Sequence, residues 1–266
     1  MPTPDRQQRL AALRDAIADI ERKPALAETR ARLIGQGDGF PVLGGGLLQE
    51  VFTDEKRNAG AILGFALGQA KGLLTPERLA VIFLQLADEG QKLGLPYGPG
   101  LLSFGLDPDA LVLVRTASMH DLLWAVEEAI ACRAVAGVVA DIGSHSKLLD
   151  FTASRRLSLR AAATGGSIFL LRYGENREAS AAHLRWRLSP LQSGRRRYDA
   201  KAPGPLRWKA HLEKGNLHRT EFLLGWTDHG FATIADEPNT GAGFGHGTPL
   251  PRALPAAVAN RLLQAG

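Results

Sequence analysis

The residues with the most chemical variety follow the first predicted strand, Leu47–Phe52. They combine acids, bases, an amide and a hydroxyl group: Thr53, Asp54, Glu55, Lys56, Arg57, Asn58 and Gly60. Phosphate-binding loops occupy this position in doubly wound sheets, and they need glycines, a Lys for the phosphates and a hydroxyl group for Mg²⁺. The sequence has no Gly-Lys dipeptide, and it places two carboxylates, Asp54 and Glu55, where a polyphosphate would lie. We therefore expect no tight binding of a Mg-nucleotide and no cofactor here.

A further carboxylate, Asp141, lies near the end of the predicted strand Val135–Gly143. An acid at this Walker-B position holds Mg²⁺ in many nucleotide-binding sheets. Without the Lys and hydroxyl group of a phosphate-binding loop, Asp141 lacks the other groups that hold Mg²⁺ and phosphate in such sites. We favour an Asp that caps the turn into Gly143, with Mg²⁺ ligation as the alternative.

Other patterns that carry chemistry are missing from the sequence. No G-x-G-x-x-G opens a helix, and no G-x-S-x-G nucleophile elbow is present. The seven His residues show no H-x₃₋₄-H spacing, so no zinc site is predicted. Cys132 lies among Ala and Ile in a predicted helix, which favours a buried and unreactive thiol. The sequence predicts neither a catalytic constellation nor a metal site.

Composition narrows the class of protein. The chain has 266 residues, a formal net charge of +5 and a single Cys. A chain of this length buries about 70% of its unfolded surface, so it forms a core without disulfides or metal. Arg provides 24 of the 32 basic residues, which fits binding to phosphates or an acidic partner and equally fits the coding bias of a GC-rich genome. The N-terminus does not resemble a secretory signal, and we expect a cytoplasmic protein.

Hydrophobic patterning predicts an α/β fold, because apolar strand-like runs alternate with helix-length segments. The predicted strands are Leu47–Phe52, Leu79–Leu86, Leu111–Thr116, Val135–Gly143 and Ser167–Tyr173. The predicted helices are Asn58–Leu74, Ser118–Cys132 and Thr152–Thr164, with a short helix or turn at Tyr97–Gly105. Such an alternation forms a mostly parallel sheet flanked by helices. Three later segments, His183–Leu188, Leu206–Leu212 and Thr220–Trp226, alternate polar and apolar residues. They predict antiparallel edge strands added at the C-terminal end.

Three regions are expected along the chain. Residues 1–40 form a helical arm with a Gly-rich linker, residues 41–231 form the α/β core, and residues 232–266 form a Gly- and Pro-rich tail. The predicted arm helix carries an apolar stripe of Leu10, Leu13, Ile17 and Ile20. This stripe either packs on the body of the protein or binds a partner.

The order of these elements resembles that of the RecA core, and AGVVADI resembles its Walker-B strand. Over about Val42 to Phe231, the chain more closely resembles the ImuA family of RecA-like proteins. The features that carry the resemblance are GLLQEVF (Gly46–Phe52), YGPGL (Tyr97–Leu101), LDFTASRRL (Leu149–Leu157), LRWR (Leu184–Arg187) and RWK (Arg207–Lys209). Its specificity lies in the order and spacing of these motifs.

Departures from RecA bear on the activity that this resemblance implies. The phosphate-binding loop is lost, and Arg172-Tyr173 stands where RecA proteins have a glutamine that senses the γ-phosphate. The ImuA family is encoded with an error-prone translesion polymerase system. The resemblance thus implies a catalytically inactive, RecA-like accessory protein of SOS-induced mutagenesis in the cytoplasm, associated with the nucleoid.

The resemblance also implies partners. It predicts an adaptor that bridges RecA or DNA to an ImuB-type pseudo-polymerase and, through it, to an error-prone polymerase. Candidate protein contacts are the arm stripe, Trp208 and Trp226 in the late strands, and the tail. Arg195, Arg196 and Arg197 either contact DNA phosphates or form a solvated loop.

Two other functions remain open at this point. One is a nucleotide-dependent, DNA-binding ATPase, which requires Mg-ATP binding. The other is a cell-division inhibitor of the RecA-shaped SulA type. Proteins of that type are generally shorter and lack the long arm and tail expected here.

Overall fold

A nine-stranded sheet runs through the part of the chain that the structure describes. This computed structural model describes residues 33–34, 40–143, 147–194, 202–217 and 219–235. Its strands are β1 Leu33–Ile34, β2 Val42–Leu43, β3 Leu48–Thr53, β4 Ala80–Leu86, β5 Leu111–Thr116, β6 Val135–Gly143, β7 Ser167–Tyr173, β8 Leu184–Leu191, β9 Arg207–Lys214, β10 Glu221–Thr227 and β11 Gly230–Thr233. Its helices are α1 Ala59–Lys71, α2 Ala87–Leu93, α3 Gly98–Ser103, α4 Met119–Ala131 and α5 Phe151–Thr164.

The order of strands across the sheet is β11-β10-β9-β8-β3-β7-β6-β4-β5. Pairing is parallel from β8 to β5 and antiparallel from β8 to β11. β1 and β2 form a separate two-stranded ribbon. The predicted fold class is therefore confirmed: a mostly parallel sheet with helices, extended by antiparallel strands from the C-terminal part.

The first of the three later strands, β8, is antiparallel to β9 on one side but parallel to β3 on the other. β8 runs parallel to β3, with Trp186 opposite Val51. The connection from Gly174 to His183 carries the chain back along the sheet without a helix, which an extended segment can do at about 3.3 Å per residue. The His183 N–H then donates to the Leu48 carbonyl oxygen at 2.8 Å, and His183 Nδ1 accepts from the Leu48 N–H at 2.9 Å.

Two apolar cores cover the two faces of the sheet. The first lies against α1 and includes Phe65, Trp186 and Trp208, and the second lies against α4 and α5 and includes Leu48 and Val126. Strands β4 and β6 are buried on both faces. Their continuous apolar sequences predicted this burial.

Glycines in α1 allow aromatic rings to approach its backbone. A Cβ at Gly64 would lie 2.8 Å from the Phe104 ring, and a Cβ at Gly68 would lie 2.8 Å from both the Phe231 and Trp226 rings. Gly in a helix interior costs about 1 kcal/mol relative to Ala. Tertiary packing therefore contributes more than helix propensity to the stability of α1.

The starts of the helices agree in part with those predicted from the sequence. Ser118 caps α4 as predicted, because its Oγ accepts from the Asp121 N–H at 3.2 Å. Asp150 caps α5 in the same way, accepting from the Ala153 N–H at 2.7 Å. The sequence did not predict α2, a seven-residue helix that begins directly after β4.

The prediction that Cys132 is buried is wrong. Cys132 is exposed in the structure. It is the first residue after α4, where the chain turns toward β6, so it does not continue the buried face of that helix.

The limits of the core differ from the expected boundaries at residues 40 and 231. β1 pairs with β2, so two residues of the expected arm join residues of the expected core. At the other end, β11 continues to Thr233, and the Ile234 N–H donates to the Leu223 carbonyl oxygen at 2.8 Å. The folded core therefore extends past residue 231.

Candidate functional site

The residues at the expected phosphate-loop position form a short connection between β3 and α1. Asp54 and Glu55 follow the strand, and a single 3₁₀ turn covers Lys56–Asn58 before α1 begins. Thr53 is fully buried, and its Oγ1 accepts a hydrogen bond from Asn58 Nδ2 at 3.3 Å. This hydrogen bond joins the residue that ends β3 to the residue that precedes α1.

Two arginines hold Asp54. Arg187 on β8 places Nε 2.9 Å and Nη2 2.5 Å from Asp54 Oδ2, and Arg177 Nη2 lies 3.4 Å from Oδ1. The hydrogen bond and the charge of Asp54 raise the pKa of Arg187. The carboxylate is therefore neutralised from within the chain.

The cations of the same connection are also paired. Lys56 Nζ lies 2.5 Å from Glu89 Oε2 on α2, and Arg57 forms an ion pair with Glu55. The hydrogen bond from Lys56 lowers the pKa of Glu89. Exposed pairs of this kind contribute at most about 1 kcal/mol to stability. The first pair nevertheless places the Lys56 ammonium group against the Glu89 carboxylate.

Asp141 lies in a buried polar cluster at the same end of the sheet. Its Oδ2 accepts from Gln85 Nε2 on β4 at 3.4 Å, and the Tyr173 hydroxyl group on β7 donates to the same carboxyl group. The Gly143 N–H also interacts with the Asp141 carboxyl group. Burial raises the pKa values of both Asp141 and Tyr173.

This arrangement does not fit a Mg-nucleotide. Mg²⁺ prefers ionised carboxylates, whereas burial favours the protonated form of Asp141. Lys56 is already paired with Glu89, and Asp54 stands where phosphates would need a cation. Among the described residues, no group of three or more His, Cys, Asp or Glu side chains could hold a metal ion.

Arg172, near the end of β7, belongs to a buried ionic network. Its Nη1 lies 3.6 Å from Glu50 Oε1 and its Nη2 lies 3.0 Å from Glu178 Oε2. Arg185 Nε and Ser180 Oγ each lie 2.8 Å from Glu50 Oε2. Removing one partner of a buried ion pair typically costs about 3–5 kcal/mol. Arg172 therefore has a structural role.

An aromatic ring lies among the cations of this network. The guanidinium carbons of Arg172, Arg177 and Arg185 lie 5.3, 4.0 and 5.6 Å from the centre of the Phe52 ring. Sequence reasoning missed the network, although one signal was available. Glu50 lies in the middle of an apolar strand, and a buried carboxylate must be paired.

The two Trp residues expected to contact partners differ in exposure. Trp208 is only 2% exposed, and its Nε1 donates to the Ala61 carbonyl oxygen at 3.0 Å. It is a core residue and presents no ring for docking, because the alternation of β9 turns it toward α1. Trp226 is half-buried, lies 4.9 Å from the Phe104 ring and donates to the Ser103 carbonyl oxygen at 3.2 Å.

Several expected contacts lie outside the described residues. These are the arm stripe of Leu10, Leu13, Ile17 and Ile20, the cluster of Arg195, Arg196 and Arg197, and the tail beyond residue 235. Within the described ranges, the chain contains no helix with the length and apolar character needed to cross a membrane.

No family model matches the chain. Among curated proteins, it is 33% identical over 128 residues to Protein ImuA of two Caulobacter vibrioides strains, a match that covers 44% of this chain and 50% of each relative. The chain thus spans about half the length of these relatives.

Among solved structures, the RadB recombinase superposes with a TM-score of 0.49 at 15% identity, over 72% of this chain and 92% of that chain. The match to Protein ImuA is the stronger finding at the level of sequence. The resemblance to the ImuA family that the sequence motifs indicated is therefore confirmed over the matched stretch.

Proposed function

We propose that this chain is a RecA-like accessory protein of damage-induced, error-prone DNA synthesis that does not bind Mg-nucleotide. The proposed lack of Mg-nucleotide binding is supported by the ion pairs that the charged residues at the phosphate-loop position form within the chain. Arg177 and Arg187 hold Asp54, and Glu89 holds Lys56. The first part rests on the similarity to Protein ImuA over half of its length.

A titration with a fluorescent ATP analogue and Mg²⁺ tests the loss of nucleotide binding. A bound polyphosphate would have to displace the ion pairs of Asp54 and Lys56, so we expect no saturable binding up to about 1 mM nucleotide. The Lys56→Ala variant is the control, because any signal that it retains does not depend on the loop ammonium group. Saturable binding of the wild type that Lys56→Ala abolishes would favour an active ATPase and contradict the proposal.

We further propose that the chain acts as an adaptor, and an unpaired sheet edge supports this role. β5 pairs with β4 on one side, and within the described ranges no strand pairs with its other side. Val112 and Leu113 on β5 are 46% and 39% exposed. Exposed apolar edge strands accept extended segments of other chains. We therefore assign the β5 edge as the docking site for the ImuB-type pseudo-polymerase.

Co-expression with an ImuB-type pseudo-polymerase, followed by size-exclusion chromatography, tests this assignment. Leu113→Lys adds a charge to the edge strand, which opposes strand addition, and we expect it to reduce co-elution at least fivefold. Leu79→Lys is the matched control, because Leu79 is 64% exposed but lies outside the strand. It should co-elute like the wild type.

Other outcomes of the same experiment would overturn the assignment. If both Leu→Lys variants co-elute fully but chains lacking residues 1–32 or 236–266 do not, the docking site lies in the arm or the tail. If the pseudo-polymerase does not co-elute with the wild type and the division protein FtsZ does, the chain is a SulA-type division inhibitor. RecA included in parallel tests whether it binds to the same chain.

A further inference from the structure

A cavity of about 240 Å³ lies beside the C-terminal end of α1, away from the phosphate-loop position. Its walls include the rings of Phe40, Trp226 and Phe231, and Gln69 lines it from the helix. Gln69 follows Ala59, the first residue of α1, by ten positions, which corresponds to about 15 Å along a helix axis. The cavity is therefore separate from the site described above.

The Gln69 amide is the unusual group in this cavity. The residue is 9% exposed, and neither its Nε2 nor its Oε1 has a hydrogen-bond partner among the residues that the structure describes. An unpaired buried polar group destabilises the folded state, and most buried amides in native proteins are paired. A ligand that offers one acceptor and one donor side by side would satisfy both atoms.

The walls of the cavity form an interlocked set of aromatic rings. The Phe231 ring centre lies 5.0 Å from that of Trp226, 5.3 Å from that of Phe40 and 5.2 Å from that of Phe65. Gly68 allows the Trp226 and Phe231 rings to lie directly against the backbone of α1. Aromatic walls of this kind favour a planar ring, which stacks on them or meets their edges.

Charge at the cavity disfavours a cationic ligand. No Asp or Glu is among the described residues that line it, and Lys71 contributes one positive charge, with Nζ 5.7 Å from the centre of the Trp226 ring. The C-terminal end of α1 contributes a partial negative charge, which opposes that of Lys71. The volume is below the range of about 300–1,000 Å³ that is typical of drug-sized ligands. It suits one or two fused rings.

We propose that this cavity binds a small neutral heterocycle with a lactam edge, meaning an N–H next to a C=O, as in a pyrimidine or purine base. Gln69 Nε2 donates to the ligand carbonyl oxygen, and Gln69 Oε1 accepts from the ligand N–H. The rings of Phe40, Trp226 and Phe231 cover its faces and edges. The site is independent of the proposed loss of Mg-nucleotide binding.

Binding of uracil and hypoxanthine to the full chain, measured by isothermal titration calorimetry, tests the proposal. We expect at least one of them to bind with a Kd below about 1 mM, a modest affinity for so small a ligand. 1,3-Dimethyluracil has the same ring but no N–H to donate, so it should bind at least tenfold more weakly than uracil. The proposal is overturned if neither base binds, or if the dimethyl analogue binds as well as uracil.

Variants at Gln69 locate the binding. Gln69→Leu removes the unpaired amide, so we expect loss of base binding together with an unchanged or higher midpoint of thermal unfolding. Gln91→Leu, at an exposed position on α2, is the matched control and should leave base binding intact. Unchanged base binding by Gln69→Leu would contradict the assignment.

A measurement on the wild type keeps the test decisive if Gln69→Leu does not fold. Trp226 lines the cavity, whereas Trp124 is exposed on α4, which packs on the other face of the sheet. Uracil should shift the NMR resonance of the Trp226 indole N–H and leave that of Trp124 in place. The opposite pattern, or no shift, would place the base elsewhere and overturn the proposal.

Discussion

Each charged residue at the phosphate-loop position has a partner of opposite charge within the chain. Asp54 lies against Arg187 and Arg177, and Lys56 lies against Glu89. The partners come from β8, from the segment after β7 and from α2. A single substitution toward a phosphate-binding sequence would therefore leave an unpaired charge elsewhere in the chain.

Asp141 provides a residue-scale prediction about pH. Burial raises its pKa in the folded state above the usual value of about 3.9. The folded chain then holds this proton more tightly than the unfolded chain, so stability falls as pH rises from the unfolded pKa through the folded pKa. Asp141→Asn cannot ionise, and it should gain stability relative to the wild type across that acidic range, by about 1.4 kcal/mol for each pH unit of the raised pKa.

Urea unfolding of both proteins at several pH values between about 4 and 8 measures this difference. The control is Asp109→Asn at an exposed position, which reports what an Asp-to-Asn change does without burial. The stability difference between Asp141→Asn and the wild type should therefore change with pH. A difference that is constant over the whole pH range would contradict a raised pKa for Asp141.

At the scale of elements, α1 connects the two sites discussed above. Its first turn faces the short connection from β3, and its last turns carry Gln69 and the cavity. The helix is rich in Gly and Ala because the rings of Phe104, Trp226 and Phe231 lie close to its backbone. Each of these glycines lowers the helix propensity of the segment, whereas its Ala residues raise it.

Two glycines of α1 provide a matched prediction. Gly68→Ala places a Cβ 2.8 Å from the Trp226 and Phe231 rings, and this overpacking should lower the free energy of unfolding by about 1–3 kcal/mol. A Cβ at Gly60, in the exposed first turn, would meet nothing within 4 Å, so Gly60→Ala should be neutral or stabilise by up to about 1 kcal/mol. Equilibrium urea unfolding measures both, and equal effects would contradict the packing of the rings on α1.

At the scale of the whole molecule, the sheet changes from parallel to antiparallel pairing at β8. The parallel half has helices on both faces, whereas the antiparallel half packs one face on α1 and the aromatic core. On its other face, Glu213 lies 2.8 Å from the Arg177 Nε and Lys209 is exposed. An antiparallel sheet tolerates a polar face of this kind, which a parallel sheet rarely does.

The extent of the core gives a prediction at this scale. A chain that ends at Phe231 loses the pairing of Ala232 and Thr233 with β10 and the hydrogen bond of Ile234 to Leu223. It should therefore be less stable than a chain that ends at Ala235, by about 1–3 kcal/mol at the usual value of a few backbone hydrogen bonds. Thermal and urea unfolding of the two truncated chains compare them directly, and equal stabilities would place the end of the core at residue 231 as first expected.

The sequence alone determined the order and type of most elements. Apolar runs predicted the five strands from β3 to β7, and the runs of β4 and β6 are largely apolar because both of their faces are buried. The N-cap at Ser118 was also predictable, because a Ser before an amphipathic run satisfies the free N–H groups of a helix start. The loss of the Gly-Lys pattern after β3 was likewise visible without a structure.

Only the tertiary structure decided which side chains meet across strands. The direction of β8, the burial of Trp208 and the pairing of Glu50 with Arg172 and Arg185 depend on residues far apart in the chain. Local propensity and periodicity carry no information about such contacts. The unpaired Gln69 amide is the clearest case, because its surroundings come from the segment at Phe40 and from β10 and β11.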